Sequence, residues 1–88
     1  MIFGRDVHVL RVVGNMPKAP RVTARKLIAA LLRQGFFRDR QRGSHVMLRH
    51  ADGRRSVIPL HARDLPMGTL RGILHDLDVT VEDMLDML

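Results

Sequence analysis

The clearest helical pattern along the chain begins after Thr23. Its apolar positions recur with the spacing of one helix face and are Leu27, Ile28, Leu31 and Leu32. Thr23 is a suitable N-cap residue, because its hydroxyl can accept a free amide of the first turn. Gly35 stands where a helix often ends in the left-handed conformation. The pattern predicts a helix over residues 24–34.

Three short strands are predicted after this helix. Residues 36–41, 44–50 and 54–60 have the composition or the alternation of strands, and Asp52-Gly53 is a typical tight-turn sequence. Pro59 lacks an amide hydrogen, so it belongs at a strand end or edge.

Alternation within the middle strand assigns its side chains to two faces. If Val46 and Leu48 point into the core, then His45, Met47 and Arg49 point to the opposite face.

Two further helices complete the predicted fold. Residues 68–77 have an amphipathic stripe, with Gly68-Thr69 at the start. Thr80 and Asp83 approximate a capping box for a short terminal helix. The order helix, three strands, helix and short helix predicts an α+β domain whose helices pack on one face of an antiparallel sheet.

The N-terminal segment is less regular than the rest of the chain. Glycine, asparagine and proline interrupt its apolar runs, and Met16-Pro17-Lys18 has the form of a natural start. We therefore expect residues 1–15 to be a disordered extension and residues 16–88 to form the domain. The alternative is that Val7, Val9 and Leu10 add a strand to the sheet edge.

Charge is distributed unevenly along the sequence. The chain has fifteen Lys and Arg against nine Asp and Glu, a net charge of +6. Residues 18–55 contain eleven of these bases and two acids, a local net charge of +9, whereas residues 76–88 contain five acids and no Lys or Arg. Clustered arginine suits phosphate recognition, so nucleic acid is the favoured partner class.

Several classes of protein are disfavoured by composition. The chain has no cysteine, and its five histidines lack the spacing of metal ligands, so we expect no metal and no cofactor. No apolar run approaches the roughly 20 residues of a membrane span. A cytoplasmic protein is the expected outcome.

Residues 41–45, Gln-Arg-Gly-Ser-His, are the most plausible site of chemistry. A glycine between two strands permits a close backbone approach to a ligand, and His45 can exchange protons near neutral pH. Cleavage of RNA needs such a group, together with cations that stabilise charge on phosphorus-bound oxygens. The residues assigned to RNA binding are Arg40, Arg42, Gly43, Ser44 and Arg49.

The other histidines are weaker candidates. His50 is expected at the margin of the core, His61 is a secondary candidate for the same cleft, and His75 is expected at the surface. His45 itself also admits an ordinary role, that of an exposed strand residue in a basic surface that only binds.

The combination and order of these motifs resemble the HicA toxin family over residues 16–88. The matching segments are Gly35-Phe36, residues 40–45, residues 52–55, residues 58–61 and residues 65–74. The resemblance implies a fold similar to double-stranded-RNA-binding domains. It also implies metal-independent cleavage of messenger RNA, a single catalytic histidine at His45, and neutralisation by a HicB-type antitoxin.

Two other functions remain open. A non-catalytic RNA-binding module of the same fold would share every feature except the use of His45. A protein-interaction or DNA-associated regulatory subunit is less favoured, because residues 68–77 offer little beyond Arg71 and His75 for reading base edges.

Overall fold

A computed structural model describes residues 21–88 of the chain. The elements are α1 (Ala24–Arg33), β1 (Phe37–Arg42), β2 (His45–Arg49), β3 (Arg55–Pro59), α2 (Met67–Asp76) and α3 (Val81–Met87). The predicted α+β class and the predicted order of elements are confirmed. No helix among these residues is long and apolar enough to cross a membrane.

Residues 1–20 lie outside the described part of the chain. The division into an extension over residues 1–15 and a domain over residues 16–88 therefore stays a prediction, as does the alternative edge strand formed by Val7, Val9 and Leu10.

Helix α1 is capped at both ends by the residues that its sequence predicts. The Thr23 hydroxyl accepts the Lys26 amide at 3.2 Å. At the other end Gly35 adopts φ +95°, its amide donates to Leu32, and the Phe36 amide donates to Leu31. These two hydrogen bonds form the Schellman pattern that satisfies terminal carbonyls. The helix ends one residue before the predicted boundary, because Gln34 serves as the C-cap.

The three strands form one antiparallel sheet in the order β1-β2-β3. Val46 lies opposite Ile58, and Leu48 lies opposite Ser56, on the face that the helices cover. In β1 the register shifts between Arg38 and Arg40, so Asp39 is the extra residue of a β-bulge. All residues of β1 are exposed.

The hydrophobic core lies between the sheet and the helices. It combines the apolar side of α1, the inward residues of β2 and β3, and the stripe of α2. Its largest fully buried side chains are Leu27, Ile28, Leu31, Leu48, Ile58, Leu70, Leu77 and Met84. The predicted inward positions of Val46 and Leu48 are confirmed, so the opposite face of the sheet is left open to solvent.

Helix α2 begins and ends one residue before its predicted bounds. It starts at Met67, with Pro66 as the N-cap, and no side chain caps its first turn. Gly68 and Thr69 stand in its first turn, as predicted. The helix ends in a second Schellman pattern, in which Asp78 has φ +54°.

Helix α3 has the predicted capping box. The Asp83 amide donates to the Thr80 hydroxyl at 3.0 Å, and the Thr80 amide donates to the Asp83 carboxylate at 3.3 Å. Met84 is the residue of this helix that is fully buried in the core. The box fixes the start of a helix too short to be stable alone.

Candidate active site

The segment from Arg42 to His45 forms a two-residue hairpin turn between β1 and β2. Gly43 adopts φ +53°, a conformation that favours glycine, and a Cβ there would meet no atom within 4 Å. The Gln41 side chain donates to the Gly43 carbonyl at 3.0 Å. Glycine is therefore favoured at this position by backbone conformation and not by crowding.

The turn positions His45 at the first residue of β2. Arg42 lies directly opposite His45 on β1, and Pro59 lies opposite it on β3. Directly opposite residues of an antiparallel pair share a face of the sheet. Because Val46 is buried against the helices, His45 lies on the solvent side, where it is exposed.

We call this solvent side the open face. It consists of three cross-strand rows, since its side chains alternate with those of the core. The first row is Arg42, His45 and Pro59; the second is Arg40, Met47 and Val57; the third is Phe37, Arg49 and Arg55.

The open face is strongly basic. Its four arginines are Arg40, Arg42, Arg49 and Arg55. Arg49 makes a loose ion pair with Asp39 at 3.7 Å, and its side chain remains 45% exposed. Within residues 21–88, the side chains of Arg40, Arg42 and Arg55 form no ion pair or hydrogen bond. These guanidinium groups are thus accessible to an anionic ligand.

The predicted site residues are brought together in part. Arg42, Gly43, Ser44 and His45 are consecutive in the turn, and Arg40 lies one row away on the same face. Arg49 is on that face too, but four residues along β2, which places it about 13 Å from the His45 row by strand geometry. The site is therefore a strip along the sheet and not a compact pocket.

Among the other histidines, His50 belongs to a structural cluster. Its ring packs edge-on against Phe36 with centroids 4.8 Å apart, and the ring is half-buried as predicted. Its Nδ1 lies 3.1 Å from the Asp52 amide, which donates to it. Arg54 completes this cluster by donating to the Asp52 carboxylate and to the Leu77 carbonyl.

The Arg54 hydrogen bonds have an electrostatic consequence for Asp52. The Arg54 side chain and amide both donate to the carboxylate, and together with the positive charge of Arg54 they lower its pKa below the ordinary value of 3.8. This cluster lies at the end of the sheet away from the Gly43 turn, and it ties the β2–β3 hairpin to α2.

The two remaining described histidines differ in position. His75 is exposed on α2, as predicted. His61 is exposed just after β3, and the preceding Leu60 amide donates to the Ser44 carbonyl. The backbone of His61 therefore leaves the sheet at the same end as His45, and His61 stays a secondary candidate.

Comparison with protein families identifies the chain. The family model described as "HicA toxin of bacterial toxin-antitoxin" matches residues 24–79. The chain belongs to the HicA toxin family. No significant match to a curated protein was found.

Membership places the chain on the toxin side of a bacterial toxin–antitoxin pair. The matched range of this HicA protein runs from the start of α1 to the residues just after α2, so it contains the whole sheet and the Gly43 turn. It ends before α3, which carries three of the acidic residues of the C-terminal end.

The candidate groups of this HicA chain are imidazole and guanidinium side chains. Across residues 21–88, no group of three or more His, Cys, Asp or Glu side chains has an arrangement that could hold a metal ion.

Phe37 and Arg55 belong to the open face but were not among the predicted site residues. Phe37 and Arg55 share the third row with Arg49. Arg55 could have been found by pairing the strands across the Asp52-Gly53 turn. Phe37 could not be placed with Arg42 by alternation, because the bulge at Asp39 changes the register between them.

Proposed function

We propose that this HicA protein is an endoribonuclease that cleaves messenger RNA with His45 as its general acid and base. The observation that carries the proposal is the exposed position of His45 on the open face, directly opposite Arg42. An imidazole and a guanidinium side by side on an accessible surface can act together on a ribose and its phosphate.

The reaction needs one proton to leave and one to return. His45 takes the proton of the ribose 2′-hydroxyl, and the 2′-oxygen attacks the adjacent phosphorus. The bond from phosphorus to the 5′-oxygen breaks, and the 5′-oxygen takes a proton from the protonated His45. The products are a 2′,3′-cyclic phosphate and a 5′-hydroxyl end, so no metal or cofactor is consumed.

Arginine supplies the charge stabilisation in this mechanism. Negative charge builds on the non-bridging oxygens as phosphorus becomes five-coordinate, and a guanidinium can donate two parallel hydrogen bonds to it. Arg42 is the nearest by strand register, and Arg40 is one row away. Gly43 and Ser44 let the backbone of the turn approach the phosphate closely.

The partners follow from the substrate and the family. The toxin acts on messenger RNA in the cytoplasm, and a HicB-type antitoxin neutralises it by covering the open face. Acidic groups of the antitoxin would pair with the arginines of that face, so inhibition is steric and is assisted by charge.

The proposal is tested with full-length protein and a single-stranded RNA in the presence of EDTA. His45→Ala and His45→Gln should reduce cleavage by roughly 10²- to 10⁴-fold while RNA binding is retained. His75→Ala is the matched control, since it removes an exposed histidine from α2 and should leave cleavage unchanged. His61→Ala determines whether a second imidazole takes part.

Three results would contradict the proposal. Unchanged cleavage by His45→Ala removes His45 from the mechanism, and loss of cleavage in EDTA removes metal independence. Binding of RNA by the unmodified protein without any cleavage would favour the non-catalytic RNA-binding module. In cells, induced expression should arrest growth, and His45→Ala should relieve the arrest.

A further inference from the structure

The third row of the open face contains an exposed aromatic ring. Phe37 is 46% exposed, whereas its neighbour Phe36 is 4% exposed and packs in the core. Phenylalanine is scarce in this chain, which has three Phe and neither Trp nor Tyr. An aromatic ring left in water forgoes the stabilisation that burial would give it, so this ring is available to stack on a partner.

The neighbours of Phe37 indicate what that partner is. Arg49 lies directly opposite Phe37 on β2, and Arg55 lies opposite Arg49 on β3. A second copy of the chain seated on this row would bring arginine against arginine, which disfavours it. A base with its phosphates matches both parts of the row, because the base can stack on the ring and the phosphates can contact the guanidinium groups.

The position of the row relative to His45 also fits a polynucleotide. Rows on one face of a strand are spaced about 6.7 Å apart, so Phe37 lies about 13 Å along the sheet from the His45 row. The row between them contains Arg40, the half-buried Met47 and Val57, which is 43% exposed. The strip thus offers cations and apolar surface continuously from one end to the other.

We propose that Phe37 forms a base-stacking subsite for an unpaired nucleotide of the RNA substrate, a few nucleotides from the bond that is cut. This inference rests on the proposed ribonuclease function and assigns a specificity-determining residue to it. Arg49 and Arg55 hold the phosphates on either side of the stacked base. Stacking requires an unpaired base, so the subsite favours single-stranded over duplex RNA at this position.

The binding experiment uses full-length protein and a short single-stranded RNA whose 2′-hydroxyls are methylated, so that the RNA cannot be cleaved by attack of a 2′-oxygen. Phe37→Ala should weaken binding by roughly 5- to 150-fold, the range measured for loss of one stacked base. Phe37→Trp should restore it, and Phe37→Leu, which keeps apolar area without a ring, should not. Leu85→Ala removes a comparably exposed apolar side chain from α3 and is the matched control.

A second measurement locates the stacked base. The Phe37→Trp protein contains a single indole, so its fluorescence reports on this position alone. RNA should quench it, and an abasic substitution at one position of the RNA should abolish the quenching. The Phe37→Ala protein has no ring for the base to stack on, so it should bind the abasic RNA as tightly as it binds intact RNA.

The outcomes separate this inference from the proposed function. Equal binding by Phe37→Ala and the parent, with cleavage lost in His45→Ala, overturns the stacking subsite alone. Weakened binding by Phe37→Ala, with cleavage retained in His45→Ala, supports the subsite and overturns the role of His45. Fluorescence that changes with protein concentration and not with RNA identifies Phe37 as a self-association contact, which also overturns the subsite.

Discussion

Arg42 and His45 face each other across the two-residue turn that joins β1 to β2. Both side chains lie on the open face, so the shortest loop of the sheet brings a cation and a proton-transfer group together. We expect Arg42→Gln to reduce kcat of RNA cleavage by roughly 10²-fold, the usual effect of losing one donor to developing negative charge. Single-turnover cleavage of a short RNA measures the effect.

Arg38 provides the control for that prediction. It belongs to the same strand and is also exposed, but it pairs with Leu48 and therefore points to the other face. Arg38→Gln removes the same charge and should leave kcat unchanged. Equal losses in the two variants would show that only overall charge matters and that the position opposite His45 does not.

The helices and most of the sheet could be predicted from the sequence, because the signals are local. Thr23 and Gly35 bound the first helix, and the alternation of Val46 and Leu48 assigns the faces of β2. The place of Phe37 in the third row of the open face could not be predicted. Strict alternation puts Phe37 and Arg42 on opposite faces, and only the extra residue Asp39 brings them to the same one. A bulge has no reliable sequence signal.

The basic open face predicts how the antitoxin associates with the toxin. If acidic groups of the antitoxin pair with Arg40 and Arg42, the association rate constant should fall steeply with ionic strength, while the dissociation rate constant changes little. In the double variant Arg40→Gln, Arg42→Gln, the association rate constant should depend less steeply on ionic strength. Stopped-flow mixing over a range of salt concentrations measures both rates.

The matched control for antitoxin association is Arg71→Gln. Arg71 is exposed on α2, the helix that packs on the covered face of the sheet, so its charge lies away from the open face. Removal of this charge should leave the salt dependence of the association rate constant the same as in the unmodified toxin. An association rate that does not depend on salt would contradict electrostatic steering.

Two glycines predict opposite effects of the same substitution. Gly43 has φ +53° and Gly72 lies within α2, and a Cβ added at either position would meet no atom within 4 Å. Gly43→Ala should therefore lower the free energy of unfolding by about 1 kcal/mol through backbone strain alone. Gly72→Ala should raise it by about 0.5–1 kcal/mol through helix propensity. Urea denaturation followed by circular dichroism measures both, and changes of the same sign would contradict the argument.

The end of α2 uses an aspartate where the end of α1 uses glycine. Asp78 occupies the left-handed position at φ +54°, and its carboxylate lies at the negative end of the helix dipole. We expect Asp78→Gly to stabilise the protein by about 0.5 kcal/mol or more. Asp78→Asn removes the charge and keeps the shape of the side chain. The difference in unfolding free energy between Asp78→Gly and Asp78→Asn therefore isolates the backbone strain. At the end of α1, Gly35→Ala should lower the free energy of unfolding. Ala would be strained there, and its Cβ would lie 3.1 Å from His50 Nε2.

The Asp52 carboxylate predicts a loss of stability in acid. Its pKa is lowered in the folded protein by hydrogen bonds from Arg54, so the ionised form is favoured by folding. Such a group stabilises the folded state above its ordinary pKa of 3.8, and this contribution disappears as the pH falls through the lowered value.

Asp52→Asn keeps an oxygen acceptor for the Arg54 amide but removes the charge. The variant should be less stable than the unmodified protein at neutral pH, and the difference should narrow as the pH falls below 3.8. Urea titrations at several pH values provide the measurement, and a difference that stays constant into strong acid would contradict the assignment.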